Sequence, residues 1–359
     1  MSVAKSLAPA GRWLLDSGIQ EPSGGFARFH DAEVGHNKPV STEISGYAAS
    51  GLVWLHGVTG DARYLAGAVK TARFLAGLWD QRLRAFPFEH PSPSPDSEHQ
   101  SWFFDSGIII RGLVAVWRET ADEQLLDIAR AAARGMITDF HAGPDYHPMI
   151  TLPGKEPLPR AGQWSRQPGC YQLKAAMSWW EIGEITGDDA LRDAYLEMLS
   201  SALATHATFL PGASNCHGVM DRLHAYAYFM EGLTPMLELG NCVDVYAEGL
   251  SSISHFLREI AACFVRSDVY AQLLRARIYG AAHGIPIDAQ KAAEEAEALA
   301  AFQAVSDAPR INGGFYFGRR DGAMSPHVNP VSTLFALQAL EMWRQWPAGS
   351  KSPCARMLI

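Results

Sequence analysis

Along residues 41–57 the apolar positions Ile44, Tyr47, Ala48, Leu52 and Leu55 fall three or four apart, the period of a helix with one packed face. The run ends in GVTGD, where Gly60 suits a helix stop and Asp61 suits the cap of a following helix over about 61–80. The same grammar of helix, stop, cap and helix recurs along the chain. First members are predicted at about 104–119, 168–186, 221–239, 267–283 and 329–345, and second members at about 122–140, 188–207, 242–264 and 288–305. EITGDD at 184–189 repeats the corner GVTGDA at 57–62, and ETADEQ at 119–124 is a looser copy.

Six first helices that begin roughly 45–65 residues apart suggest stacked helical hairpins. Only five have a partner that follows, and the amphipathic stretch at about 3–17 supplies the sixth if the ends of the chain meet. Two repeated motifs support this: GGF at 24–26 precedes PVST at 39–42, and GGF at 313–315 precedes PVST at 330–333. In that register Glu43 matches Leu334, so the motif itself does not require a carboxylate. The expected fold is all-α, a closed (α/α)6 toroid of six hairpins forming one domain over residues 1–359; the alternative is an open solenoid. Long connections at 81–100, 141–167 and 307–328, rich in aromatic, His, Arg, Gly and Pro residues, precede first helices. In a toroid they gather at the rim where the inner helices begin, which makes that rim the expected site.

The chain has 359 residues, 48% of them hydrophobic and 19% charged, enough for a large core. Its net charge of −8 is spread without a basic stripe, which argues against a nucleic-acid partner. No apolar run reaches the ~18 residues of a membrane span. The N-terminal stretch lacks the apolar core of a signal peptide, so a cytoplasmic location is the expectation. Five cysteines without a CxxC spacing are expected to be reduced thiols. Thirteen histidines show no metal-ligand spacing, and no nucleotide or metalloprotease motif occurs, so no cofactor is expected.

Candidate chemistry lies near the helix starts. Glu43 and Asp105 open successive first helices, and two carboxyl groups facing a cavity suit the acid and base of glycoside cleavage. Each also has a plainer reading, as an acidic residue complementing a helix N-terminus. A rival set is Tyr171, His224, Tyr226 and Tyr228; His224 and Tyr228 are four residues apart on one helix face. A neutral imidazole is a base near pH 7, as C–H abstraction next to a uronate carboxylate requires. Asp268, Gln272 and Arg275 follow one another at helical spacing, and His327 and Asn329 precede the last first-helix; these are candidate sugar ligands. Trp102, Trp164, Phe315 and Tyr316 lie in or beside the long connections, where flat rings suit stacking on sugars.

WFFDSGIIIRGLVAVW at 102–117, YQLKAAMSWWEIGEITGD at 171–188 and NPVSTLFALQALEMW at 329–343 resemble the six-hairpin glycosidase-like superfamily, in particular bacterial members associated with polysaccharides. The resemblance covers nearly the whole chain and implies the (α/α)6 toroid. More distantly, FFDSG resembles the start of the second inner helix in unsaturated glucuronyl hydrolases, which implies a catalytic role for Asp105. Those enzymes carry a second aspartate at the third inner helix. Here no carboxylate stands between Arg166 and Glu181, and Tyr171 is near that position. The expectation is a carbohydrate-active enzyme that hydrolyses an oligosaccharide with Asp105 and Glu43. Two alternatives stay open: a lyase or epimerase of uronic-acid sugars using Tyr171, His224 and Tyr228, and a non-catalytic glycan-binding protein.

Overall fold

The computed structural model describes residues 7–90, 99–143, 145–160, 162–346 and 354–359. Residues 3–6 of the first expected helix and 91–98 of the first long connection lie outside the described residues. In chain order the α-helices are α1 (Leu7–Asp16), α2 (Thr42–Thr59), α3 (Ala62–Leu78), α4 (Phe103–Thr120), α5 (Glu123–Asp139), α6 (Leu173–Thr186), α7 (Asp189–Thr205), α8 (Cys216–Gly232), α9 (Thr234–Glu238), α10 (Val243–Ile260), α11 (Ser267–Ala282), α12 (Ala289–Ala300) and α13 (Pro330–Gln345). Their contacts group into two compact units, one of Gln20–Arg28 with Pro39–Thr205 and one of Met1–Ile19, Phe29–Lys38 and His206–Ile359. No helix among the described residues is long and apolar enough to cross a membrane.

In the unit that contains Pro39–Thr205, three hairpins follow one another: α2 with α3, α4 with α5, and α6 with α7. The first helix of each is buried nearly all round, whereas α3 buries only Tyr64, Gly67, Ala68, Thr71, Ala72 and Leu75, one face of a helix. The hairpin corners are built as the sequence predicts. Gly60 and Gly187 close α2 and α6 in the left-handed conformation, at φ 70° and 69°. Ala121 does the same after α4 at φ 53°, so the looser ETADEQ copy keeps the backbone without the glycine. The caps Asp61 and Asp122 accept hydrogen bonds from the Arg63 and Gln124 amides. The helices α2 and α4 touch backbone to backbone: a Cβ on Gly112 would stand 2.5 Å from the Gly46 carbonyl oxygen. That contact packs the second turn of α2 against the middle of α4.

In the unit that contains His206–Ile359, α8 packs with α10 and α11, α11 with α12 and α13, and α1 against α13. Thus α1 stands as the partner of the last first-helix. The Trp13 indole N–H donates to the Arg310 carbonyl at 2.8 Å. Gly313, at φ 94°, lies so close to Pro9 that a Cβ would stand 2.4 Å from its carbonyl oxygen. Three expectations change. The helix expected at 168–186 begins at Leu173, after a 3-10 turn over Cys170–Gln172. The one expected at 221–239 begins at Cys216, capped by Asn215, and breaks after Gly232; Pro235, which has no N–H to donate, opens the short α9. Cys216 and Cys263, expected as free thiols, are joined as a disulfide although 47 residues apart.

The two PVST motifs are not structurally equivalent. In the first copy Val40 and Ser41 are extended and Ser41 caps α2, whereas Pro330 opens the first turn of α13 and Asn329 is the cap. Side chains give the true register. The Ser45 hydroxyl donates to the Ser41 carbonyl at 2.7 Å and accepts the Phe26 amide at 2.9 Å. The Thr333 hydroxyl donates to the Asn329 carbonyl at 2.8 Å and accepts the Phe315 amide at 2.9 Å. Ser45 therefore matches Thr333, and Glu43 matches Val331, not Leu334.

Candidate active site

The candidate residues of the unit holding Pro39–Thr205 collect around the first turns of α2 and α4. Glu43 is half-buried on α2, and burial lifts its carboxyl to about 7 against the opposing pull of the Arg28 guanidinium. Asp105 is buried on α4. Burial first, and then the charge of Glu43, push its carboxyl well above the usual range; Arg28 acts in the other direction. Its Oδ2 is inaccessible and has no hydrogen-bond partner among the described residues. Arg28 pairs with Glu89 and lies 5.1 Å from the Phe88 ring centroid. Phe88 in turn stacks on Trp102 at 5.2 Å. Two titrating carboxyls, a cation and a stacked aromatic pair thus share one neighbourhood.

Tyr171 adjoins this group through Phe104, with ring centroids 6.0 Å apart, and Trp164 meets Tyr171 edge-on at 5.0 Å. The Tyr171 hydroxyl donates to the Gln167 carbonyl at 2.9 Å. Burial moves its phenol far above the ordinary range, with smaller contributions from Cys170 and Asp105. A phenolate there is strongly disfavoured, so the geometry fits packing better than the proton abstraction expected of Tyr171.

In the unit holding His206–Ile359 a second cluster forms where α8 meets α11. The Nδ1 atom of His224 lies 2.9 Å from Gln272 Oε1 and 3.7 Å from Asp268 Oδ2, and its ring meets Tyr228 at 4.4 Å. With Oε1 as the acceptor, Nδ1 carries the proton and Nε2 is the basic nitrogen. Burial, reinforced by Arg266, lowers its pKa to about 4, so the imidazole is neutral at pH 7. Asp268 is buried, which alone would raise its carboxyl, but the two-point contact with Arg266, at 3.0 and 2.6 Å, brings it below the usual value. Arg266 also reaches Asp221 at 3.1 Å and lies over Phe317.

Three expected ligands have other partners. Arg275 is 1% exposed; its Nη1 donates to Gln338 at 2.8 Å, its Nη2 pairs with Glu231, and Phe335 lies beneath it. It is a core ion pair in place of the expected sugar ligand, because its position on α11 turns it between helices. The Asn329 side chain accepts the Val331 and Ser332 amides at 2.8 and 3.1 Å, the work of a helix cap. His327 lies on Phe29 at 4.1 Å, and its strand pairs with His30–Asp31. The expectations missed Arg28, Glu89, Arg266 and Asp221. Of these only Arg266 had a local signal, two residues before Asp268.

No protein-family model matches this chain, and no curated protein matches it in sequence. Solved structures do. A sugar epimerase from a ruminal bacterium superposes with a TM-score of 0.72 at 12% identity, covering 98% of this chain and 100% of the other. Cellobiose 2-epimerase from Bacillus thermoamylovorans gives 0.67 at 12% identity over 95% and 97%. Unsaturated glucuronyl hydrolase from Bacillus sp. GL1 gives 0.63 at 16% identity over 94% and 96%. Identities this low carry the fold and leave the chemistry open. The chain has the (α/α)6 toroid fold that these solved structures share.

Proposed function

We propose that this protein is a carbohydrate-processing enzyme that cleaves an oligosaccharide by general acid–base catalysis with Asp105 and Glu43. The carrying observation is the pair of neighbouring carboxyls, one titrating near neutrality and the other well above its ordinary range. Groups whose environments set their protonation apart divide the acid and base roles between them. Asp105 keeps its proton and gives it to the glycosidic oxygen as the C–O bond breaks. Glu43, partly ionised at pH 7, takes a proton from the water that attacks the anomeric carbon. Trp102 and Phe88 offer flat rings beside the pair for sugar faces, and Arg28 tunes both carboxyls. The similarity to sugar-acting toroid enzymes supports the substrate class.

The second reading is epimerisation or elimination, in which His224 removes a proton from carbon. Its neutral imidazole and its hydrogen bond to Gln272 favour it, and two of the similar structures are epimerases. Incubation with neutral and acidic oligosaccharides in isotopically labelled water separates the two. Hydrolysis places one solvent oxygen in the product and no carbon-bound deuterium. Epimerisation places deuterium on carbon without cleavage, and elimination yields an unsaturated uronide that absorbs in the near ultraviolet. Sugar binding with no turnover across the panel overturns both readings and leaves a glycan-binding protein.

A further inference from the structure

We propose that Cys216, His217 and Cys263 form a binding site for a thiophilic divalent cation, with Zn²⁺ as the probe ion, which opens when the two sulfurs are reduced. One ring nitrogen of His217 and the two sulfurs all lie within 4.8 Å of one another, and among the described residues no other His, Cys, Asp and Glu side chains make such a group. Tetrahedral ligands about 2.0–2.3 Å from one zinc ion are about 3.3–3.8 Å apart, so the imidazole is within reach of such a shell and the two sulfurs enter it by moving apart once their bond is reduced. The donor set of two thiolates and an imidazole suits zinc over magnesium or calcium.

The imidazole is the telling member. A disulfide between Cys216 and Cys263 needs no nitrogen beside it, yet His217 is held there by its ring contact with Phe264 at 5.1 Å. Its Nδ1 is inaccessible and has no hydrogen-bond partner among the described residues. All three residues are partly exposed, so a water molecule can complete a four-coordinate ion. The chemistry balances. A thiol reductant supplies two electrons and is itself oxidised to a disulfide, leaving two sulfhydryls. Binding Zn²⁺ then releases their two protons.

The position gives the site a purpose. Cys216 is the first residue of α8, which carries Asp221 and His224. Cys263 precedes the strand Phe264–Arg266, whose last residue grips Asp221 and Asp268. An ion at this point clamps the start of α8 to the strand that positions Arg266.

The test uses the full chain, reduced with a phosphine, desalted without oxygen and titrated with Co²⁺, whose thiolate complexes absorb in the near ultraviolet. We expect a thiolate-to-cobalt band that saturates at one ion per chain and is displaced by Zn²⁺. Cys263→Ser abolishes it. His217→Gln weakens binding by about 10-fold or more, while the oxidised variant still closes its disulfide. No band from the reduced protein, or a His217→Gln titration indistinguishable from the parent, overturns the proposal in favour of a plain disulfide. Because His217→Gln removes no sulfur, it decides the matter even if Cys263→Ser does not fold.

Discussion

The charge of Glu43 on α2 raises the Asp105 carboxyl on α4, and these two helices meet where Gly112 approaches the backbone of Gly46. After burial, the charge of Glu43 is the largest influence raising Asp105. Replacing Gly46 or Gly112 by any larger residue forces the helices apart, and with them the two carboxyls. The close approach is thus part of the site, although neither glycine carries chemistry.

The pH dependence of turnover follows from the pair. Activity should rise as the pH passes through about 7 and Glu43 ionises, then fall once Asp105 loses its proton. Because Arg28 lowers both carboxyls, Arg28→Met should move the rising limb to higher pH. A limb left in place by Arg28→Met would separate Glu43 from the titrating group.

Stability carries two opposing slopes. Glu43 binds its proton more tightly in the folded state, so its contribution is present below about 4.5 and is lost as the pH rises through about 7. His224 binds its proton less tightly when folded, so its contribution is present above about 6.5 and is lost as the pH falls through about 4. Denaturant titrations of His224→Gln against the parent isolate the second. The parent should gain on the variant by roughly 3 kcal/mol between pH 4 and 6.5. A difference that does not change with pH would contradict the buried neutral imidazole.

Arg275 supplies a structural control. Arg275→Met leaves Glu231 buried without its cation, which should destabilise the protein by about 3–5 kcal/mol. Any active fraction should keep the parent KM. A raised KM with unchanged stability would return Arg275 to the sugar site.

The pairing of α1 with α13 is open to a similar test. Gly313→Ala combines a left-handed backbone with a contact on Pro9, and should cost at least 1–3 kcal/mol. Protease sensitivity of residues 7–16 should rise with it. Unchanged protection of that segment would contradict the packing of the Gly313 turn on α1.

The hairpins were legible because their signals are local. Helix periodicity, Asp61 and Asp122 as caps, and the TGD corners each lie within a few residues. The start of α6 was not, since Tyr171 and Gln172 are compatible with a helix and only the turn at Gly169 delays it. The PVST repeat misled by three positions, because identical letters occupy an extended strand in one copy and a first turn in the other. What fixes the register is the hydroxyl four residues after each cap, Ser45 or Thr333, a pattern any helix-start serine or threonine can show. Arg28, Glu89 and the Cys216–His217–Cys263 group were invisible for a different reason. Their partners are distant in sequence, and only packing unites them.

Asp105→Asn removes the proton that the proposed reaction takes from Asp105. Asparagine keeps the shape but has no carboxyl proton to give. On any glycoside the parent hydrolyses, kcat should fall by about 10²–10⁴-fold while the protein stays folded and sugar affinity stays within a few-fold. Should Asp105→Asn retain most of its kcat, with His224→Gln instead abolishing turnover, the carboxyl-pair account is wrong and the imidazole is the catalytic base.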